Sequence, residues 1–169
     1  MDKITGRIFM ELFLDICKND YRAVFQMLRE AIDLCPDSLW DERLDEPPFW
    51  HQVCHTIFFV DFYLSDSPEK CQSPSFVKPE LDQTPPATPS QQQIKDYLEE
   101  VSKKCEVRLN NLTLEQLKGK NTFPWTGPTL AHRLSYNIRH AQHHVGWLNS
   151  MLRRKAGQAA KWVITVKIN

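Results

Sequence analysis

Half of the chain's six histidines fall within five positions, in Arg139-His140-Ala141-Gln142-His143-His144-Val145-Gly146. Around them Leu130, Leu134, Ile138, Ala141, Val145, Leu148 and Leu152 recur every three or four residues, so the run reads as a helix with one buried face. On that helix His140 and His144 share a neighbouring stripe one turn apart, while His143 points away, toward solvent or a partner. Imidazoles at i and i+4 reach a single metal ion, as the paired histidines of helical zinc sites do. The plainer alternative is a polar flank on an ordinary core helix. A metal site also needs a third ligand from elsewhere in the chain.

The second informative stretch is Phe49–Leu64. Trp50, Val53, Ile57, Val60 and Leu64 form one apolar stripe, and His51, His55, Phe58, Phe59 and Phe62 lie on the opposite side. A helix apolar on both faces is buried between neighbours. A histidine among phenylalanines must find partners for its ring nitrogens, and a metal bond or a hydrogen bond both meet that need. His55 and His51 are both candidates on this reading. His51 sits nearer the helix end, where water is closer.

The elements that must carry these side chains follow from periodicity and punctuation. Residues 8–33 read as helix, with a break expected at Cys17-Lys18-Asn19-Asp20, where Asp20 can cap a second segment. Pro36 ends it, and Pro47-Pro48 precede the helix that bears His51 and His55. Residues 65–90 hold six of the eleven prolines and no steady period, so they read as a long crossover. Thr88-Pro89-Ser90-Gln91 reads as a capping box opening a helix to about Asn110 through Ile94, Leu98, Val101, Cys105 and Leu109. Thr113 to Gln116 repeats the signal for a short helix, and Pro128 or Thr129 opens the last one. Residues 162–168 are β-prone, expected to dock as a strand or extended tail. The expected fold is all-α: one domain over residues 1–169, a four-helix bundle with a long crossover between its second and third helices and a short β-prone C-terminal tail.

Composition narrows the function classes. The chain is 41% hydrophobic and 25% charged with no long apolar run, which argues against a membrane span. The first residues lack a secretory pattern, and five scattered cysteines without a Cys-x-x-Cys suit reduced thiols, so a cytoplasmic location is expected. Net charge is zero, yet no Asp or Glu follows Glu115 while nine Lys or Arg do. That polarity is too diffuse for a nucleic-acid surface, and the acidic helices beside it are expected to neutralise it. There is no Gly-x-Ser-x-Gly, no phosphate loop and no cysteine in a nucleophile context.

Trp50-His51-Gln52-Val53-Cys54-His55-Thr56-Ile57-Phe58-Phe59, then a long link, then His140-Ala141-Gln142-His143-His144-Val145-Gly146, resembles the DinB-like (YfiT-like) four-helix superfamily in order and spacing, over roughly residues 8–155. Members of that superfamily hold a divalent metal with three histidines, one from the second helix and two from the last. The resemblance implies His55, His140 and His144 as ligands, with His51 the fallback for His55, and Zn or Ni (Fe also suits imidazole) as the metal. Where the family often carries Gln after the Gly, this chain has Trp147, which bears on the pocket or a dimer surface. The β-prone tail also lies outside the family pattern.

The function the resemblance implies is metal-dependent thiol-cofactor S-transferase chemistry, with a low-molecular-weight thiol as second cofactor and a small electrophile as substrate; metal-dependent hydrolysis is a variant on the same site. Arg133, two turns before His140 on its stripe, is the candidate to bind a carboxylate of the thiol or substrate, against an ordinary exposed surface contact. No general base stands out, since Asp61 lies on another face of its helix. A homodimer is expected, with Trp147 and the tail as apolar contacts; neither nucleic acid nor membrane is an expected partner. The rival reading is a non-catalytic, stress-related or scaffold dimer whose histidines are structural or vestigial.

Overall fold

Four long helices follow from the apolar periodicities, and two short ones lie in the links between them. The computed structural model describes residues 3–43, 47–82, 85 and 87–165. They form α1 (Lys3–Leu34), α2 (Asp37–Trp40), α3 (Phe49–Leu64), α4 (Gln91–Asn110), α5 (Leu114–Lys118) and α6 (Leu130–Ala156). Each of α1 and α3 packs on both α4 and α6, so the first two long helices face each other across the bundle diagonal. Among the described residues there is no strand, only an isolated bridge between Lys120 and Thr129. No described helix is long and apolar enough to cross a membrane.

Helix α1 runs without the expected break. Cys17 and Tyr21 are buried and carry the core face straight through, so the intervening polar residues do not interrupt it. At 1.5 Å per residue its 32 residues span about 48 Å, twice the length of the 16-residue α3. The core residues of α1 begin only at Leu14.

Helix α3 buries one of its two apolar stripes completely, with Phe49, Trp50, Val53, Cys54, Ile57 and Val60 fully buried, while the other is half-buried at His55, Phe58, Phe59 and Phe62. Helix α4 is capped by Ser90 rather than Thr88. Ser90 Oγ accepts from the Gln93 amide at 3.2 Å while the Gln93 side chain accepts from the Ser90 N–H at 2.9 Å. Pro89 therefore stands outside the helix, and its carbonyl accepts the Trp40 indole N–H at 2.9 Å. The Thr113–Gln116 box on α5 forms as expected.

The turn before α6 depends on Gly127, whose φ of 118° lies in the left-handed region and whose missing Cβ would sit 2.7 Å from His132 Cβ. Helix α6 begins at Leu130 and stops at Gly157, which takes the left-handed cap conformation at φ 70°. The tail beyond it forms no strand over its described residues, and residues 166–168 of the expected strand lie outside them. With no sheet edge to join, it is held by side chains. Asn149 Oδ1 accepts from the Ala160 amide at 2.9 Å, and Glu30 accepts from the Lys161 amide at 3.1 Å.

The crossover between α3 and α4 is tied down at residues 77–79. Val77 is buried in the core, and the carbonyls of Lys78 and Pro79 turn inward onto α3.

Candidate metal centre

The packing of α3 against α6 brings together three histidines 85 or more residues apart across the two helices. His144 Nε2 lies 3.2 Å from His55 Nε2 and 3.2 Å from His140 Nε2, and one nitrogen of each ring lies within 4.8 Å of the other two. His55 and His144 are separated by 89 positions in the chain. Two nitrogens at tetrahedral positions on an ion with bonds of about 2.0–2.1 Å stand roughly 3.3 Å apart, so the spacing suits a shared metal.

The outer nitrogens decide how the rings face inward. His55 Nδ1 lies 2.5 Å from the Pro79 carbonyl oxygen. A carbonyl only accepts, so Nδ1 carries the hydrogen and Nε2 turns a lone pair toward the other two rings. His144 Nδ1 lies 2.5 Å from the side-chain amide of Gln52. Oxygen and nitrogen of that amide exchange by a flip, so with its oxygen turned to Nδ1 it fixes His144 in the same tautomer. His140 Nδ1 is buried without a hydrogen-bond partner. Second-shell contacts of this kind orient imidazole ligands in metal sites.

Burial keeps the cluster uncharged. Desolvation first, and the neighbouring histidines second, push His144 down to about 3 and His140 down to about 4. His55 is also lowered by burial. Neutral imidazoles with inward lone pairs are the form in which histidine binds metals. The residues present fit a divalent ion with nitrogen preference.

Rings close the flank of the cluster. Phe59 packs 4.7 Å from His55 and 5.2 Å from His140, and Tyr136 stacks on His140 at 6.1 Å. Tyr63 faces His140 at 6.2 Å and accepts the Trp125 indole N–H at 3.3 Å.

The other sequence candidates lie elsewhere. His51 is fully buried with its Nε2 donating to the Lys78 carbonyl at 2.8 Å, outside the cluster. His143 is exposed. Asp61 is buried on the α4 side, paired with Lys104. Arg133 is not the exposed residue weighed as its plainer reading: it is 3% exposed, donates from Nη1 to Thr122 Oγ1 at 2.9 Å, and stacks its guanidinium 4.5 Å over Phe123. Burial and the charge of Arg108 push it down to about 10. Its guanidinium lies behind Phe123, whose ring packs on Tyr63, which in turn faces His140.

Two groups escaped sequence reasoning. The crossover carbonyls of Lys78 and Pro79 carry no side-chain signal. Gln52 did leave one, since it stands three residues before His55 and therefore on nearly the same helix face.

No curated protein and no solved structure matches the chain. A family model described as the DinB superfamily matches residues 20–148, which include all three clustered histidines, Gln52 and the whole crossover. With the helical bundle and this match together, the chain belongs to the DinB superfamily.

Proposed function

We propose that the chain is a divalent-metal-dependent enzyme in which His55, His140 and His144 hold the ion, and that its chemistry is transfer to or from a low-molecular-weight thiol. The observation that carries this reading is the convergence of three Nε2 atoms from α3 and α6, with the tautomer of His55 set by the Pro79 carbonyl. Three imidazole donors leave coordination positions for a small ligand, as catalytic rather than structural sites do. A bound Zn or Ni supplies Lewis acidity that favours the thiolate form of the thiol.

The chain's own groups have distinct parts. Pro79 and Gln52 orient His55 and His144. Burial keeps His140 and His144 unprotonated at neutral pH. Phe59, Tyr63 and Tyr136 keep water from the side of the cluster they cover. The phenol of Tyr63 is half of a Trp125–Tyr63 hydrogen bond beside His140, and positions that flank.

The test is elemental analysis of untagged protein, wild type beside His140→Ala. About one Zn or Ni per chain, lost in the variant, is the expected result, and it justifies screening thiols with electrophiles. No metal in either protein after reconstitution overturns the reading and leaves a helical bundle with core histidines. Metal without thiol binding leaves hydrolysis as the chemistry to assay.

A further inference from the structure

Lys104 and Arg108 stand four residues apart on α4, so one helix face carries both cations toward the end of α3. Leu64 ends α3 there, Ser65 and Asp66 follow it, and the 3-10 turn at Pro68–Lys70 brings Lys70 to the same place. Together these residues line a pocket of about 270 Å³. Lys104 pairs with the buried Asp61. Arg108 Nη2 lies 2.8 Å from Asp66 Oδ1, and Lys70 Nζ lies 3.7 Å from Asp66 Oδ2. A fourth cation stands behind them. Thr122 Oγ1 donates to the Asp66 carbonyl and accepts from Arg133 Nη1, so a single hydroxyl links Arg133 to Asp66. Arg133 is buried, makes no ion pair among the described residues, and has its Nε without a hydrogen-bond partner.

The charges do not balance. Lys70, Lys104, Arg108 and Arg133 are set against Asp61 and Asp66, an excess of two positive charges, and the exposed Glu69 and Glu100 do not line the pocket. Asp66 is the replaceable member of the set. It is exposed, follows the helix rather than belonging to it, and is the one carboxylate in the lining.

We propose that this pocket binds a small phosphate monoester, whose phosphate takes the place of the Asp66 carboxylate on Arg108 and Lys70 and lies beside Lys104. A phosphate monoester carries close to two negative charges at neutral pH, which matches the excess. Arg108 offers a planar fork of N–H donors suited to phosphate oxygens, and the lysines add point charges. The volume bounds the rest of the ligand. A single water takes ~30 Å³ and sites for drug-sized ligands run to roughly 300–1,000 Å³, so this pocket holds a phosphate with a short carbon chain and not a nucleotide. Leu64 gives that chain an apolar wall. The pocket stands apart from the histidine cluster, since Leu64 lies about 14 Å beyond His55 along α3.

Isothermal titration calorimetry with glycerol 3-phosphate at fixed ionic strength reads the outcome. Wild type is expected to bind it. His140→Ala should bind it equally, which separates this pocket from the open positions of a metal ion. Arg108→Gln should weaken binding about tenfold or more, the loss of one charge-assisted contact. Asp66→Asn should tighten it several-fold, a gain that a misfolded variant cannot produce. No binding by wild type at millimolar ligand overturns the proposal, as does an affinity unchanged by Arg108→Gln. Binding that His140→Ala abolishes also overturns it, since the metal then accounts for the signal. Equal affinity for succinate, a dicarboxylate of similar charge, would mean a field without phosphate recognition, and equal affinity for inorganic phosphate would remove the ester. Either result overturns the assignment, and an Asp66→Asn variant no tighter than wild type overturns the displacement of Asp66.

Discussion

His55 donates its Nδ1 hydrogen to the carbonyl of Pro79, so a residue of the irregular crossover sets the tautomer of a histidine on a core helix. His51, one turn earlier, makes the same kind of bond to the preceding carbonyl, Lys78, but through Nε2. Two histidines four residues apart thus use opposite ring nitrogens on adjacent carbonyls. That difference turns the Nε2 lone pair of His55 into the cluster and leaves His51 as a packing residue.

The two substitutions should separate accordingly. His55→Ala is expected to lose the metal with little change in helix content. His51→Ala should keep the metal and lose about 1–3 kcal/mol of stability, because it removes a fully buried side chain together with its hydrogen bond to the crossover. Metal content together with urea unfolding decides the matter, and the reverse pattern would make His51 the ligand.

Gln52 should matter through His144. Removing a second-shell partner typically costs 10–100-fold in metal affinity, and Gln52→Leu is expected within that range. Gln52→Glu, which offers only acceptor oxygens to Nδ1–H, should keep the affinity or raise it. Competition with a chromophoric chelator measures both, and equal affinities for wild type and Gln52→Leu would remove Gln52 from the site.

The metal-free protein should lose stability in acid. His140 and His144 are held at about 4 and about 3 when folded and return to the ordinary value near 6.5 when unfolded. Above pH 6.5 both states are neutral and the pair adds no pH dependence. As pH falls below 6.5 the unfolded chain takes up protons that the folded chain refuses, so stability declines until about pH 3. Carboxylates titrate in the same range, so the useful quantity is the difference between wild type and His144→Gln. That difference should change between pH 7 and pH 4, and a flat difference would contradict the burial of His144.

Arg133 should behave as a structural cation. Its contacts are Thr122 and the face of Phe123, so Arg133→Ala is expected to lower stability by about 1–3 kcal/mol while metal content stays the same. Arg133→Met, which keeps much of the buried stem, should lose less. A raised KM for thiol at unchanged stability would instead give Arg133 a role at the substrate.

Much of this was legible because helices write their faces into the sequence. The His140/His144 pair could be sorted from His143 by spacing alone, and the stripe from Trp50 to Leu64 is the buried face of its helix, while the second apolar stripe, expected to be buried as well, leaves Phe58, Phe59 and Phe62 only half-buried. Spacing could not choose between His51 and His55, which lie one turn apart on one face. The choice is made by carbonyls 78 and 79, and an irregular proline-rich segment gives no periodic signal for where its backbone turns. The burial of Arg133 was hidden for a similar reason, since Phe123, the ring it stacks on, stands at the edge of a short 3-10 turn. The uninterrupted α1 shows the opposite error: three polar residues, Lys18 to Asp20, suggest a stop, yet the buried Cys17 and Tyr21 on either side of them carry the helix through.

The 89 positions that separate His55 from His144 carry one more implication. A ligand shared by those two side chains closes most of the chain into a ring, with α4, α5 and the entire crossover inside it. Tying such a loop restricts the unfolded ensemble as a disulfide does, an effect of about 4–5 kcal/mol for a loop of ~100 residues in the chain-entropy model. In that role the ion is a reversible cross-link whose strength is set by free metal concentration, so the melting temperature of the bundle would report metal supply before any catalytic assay did.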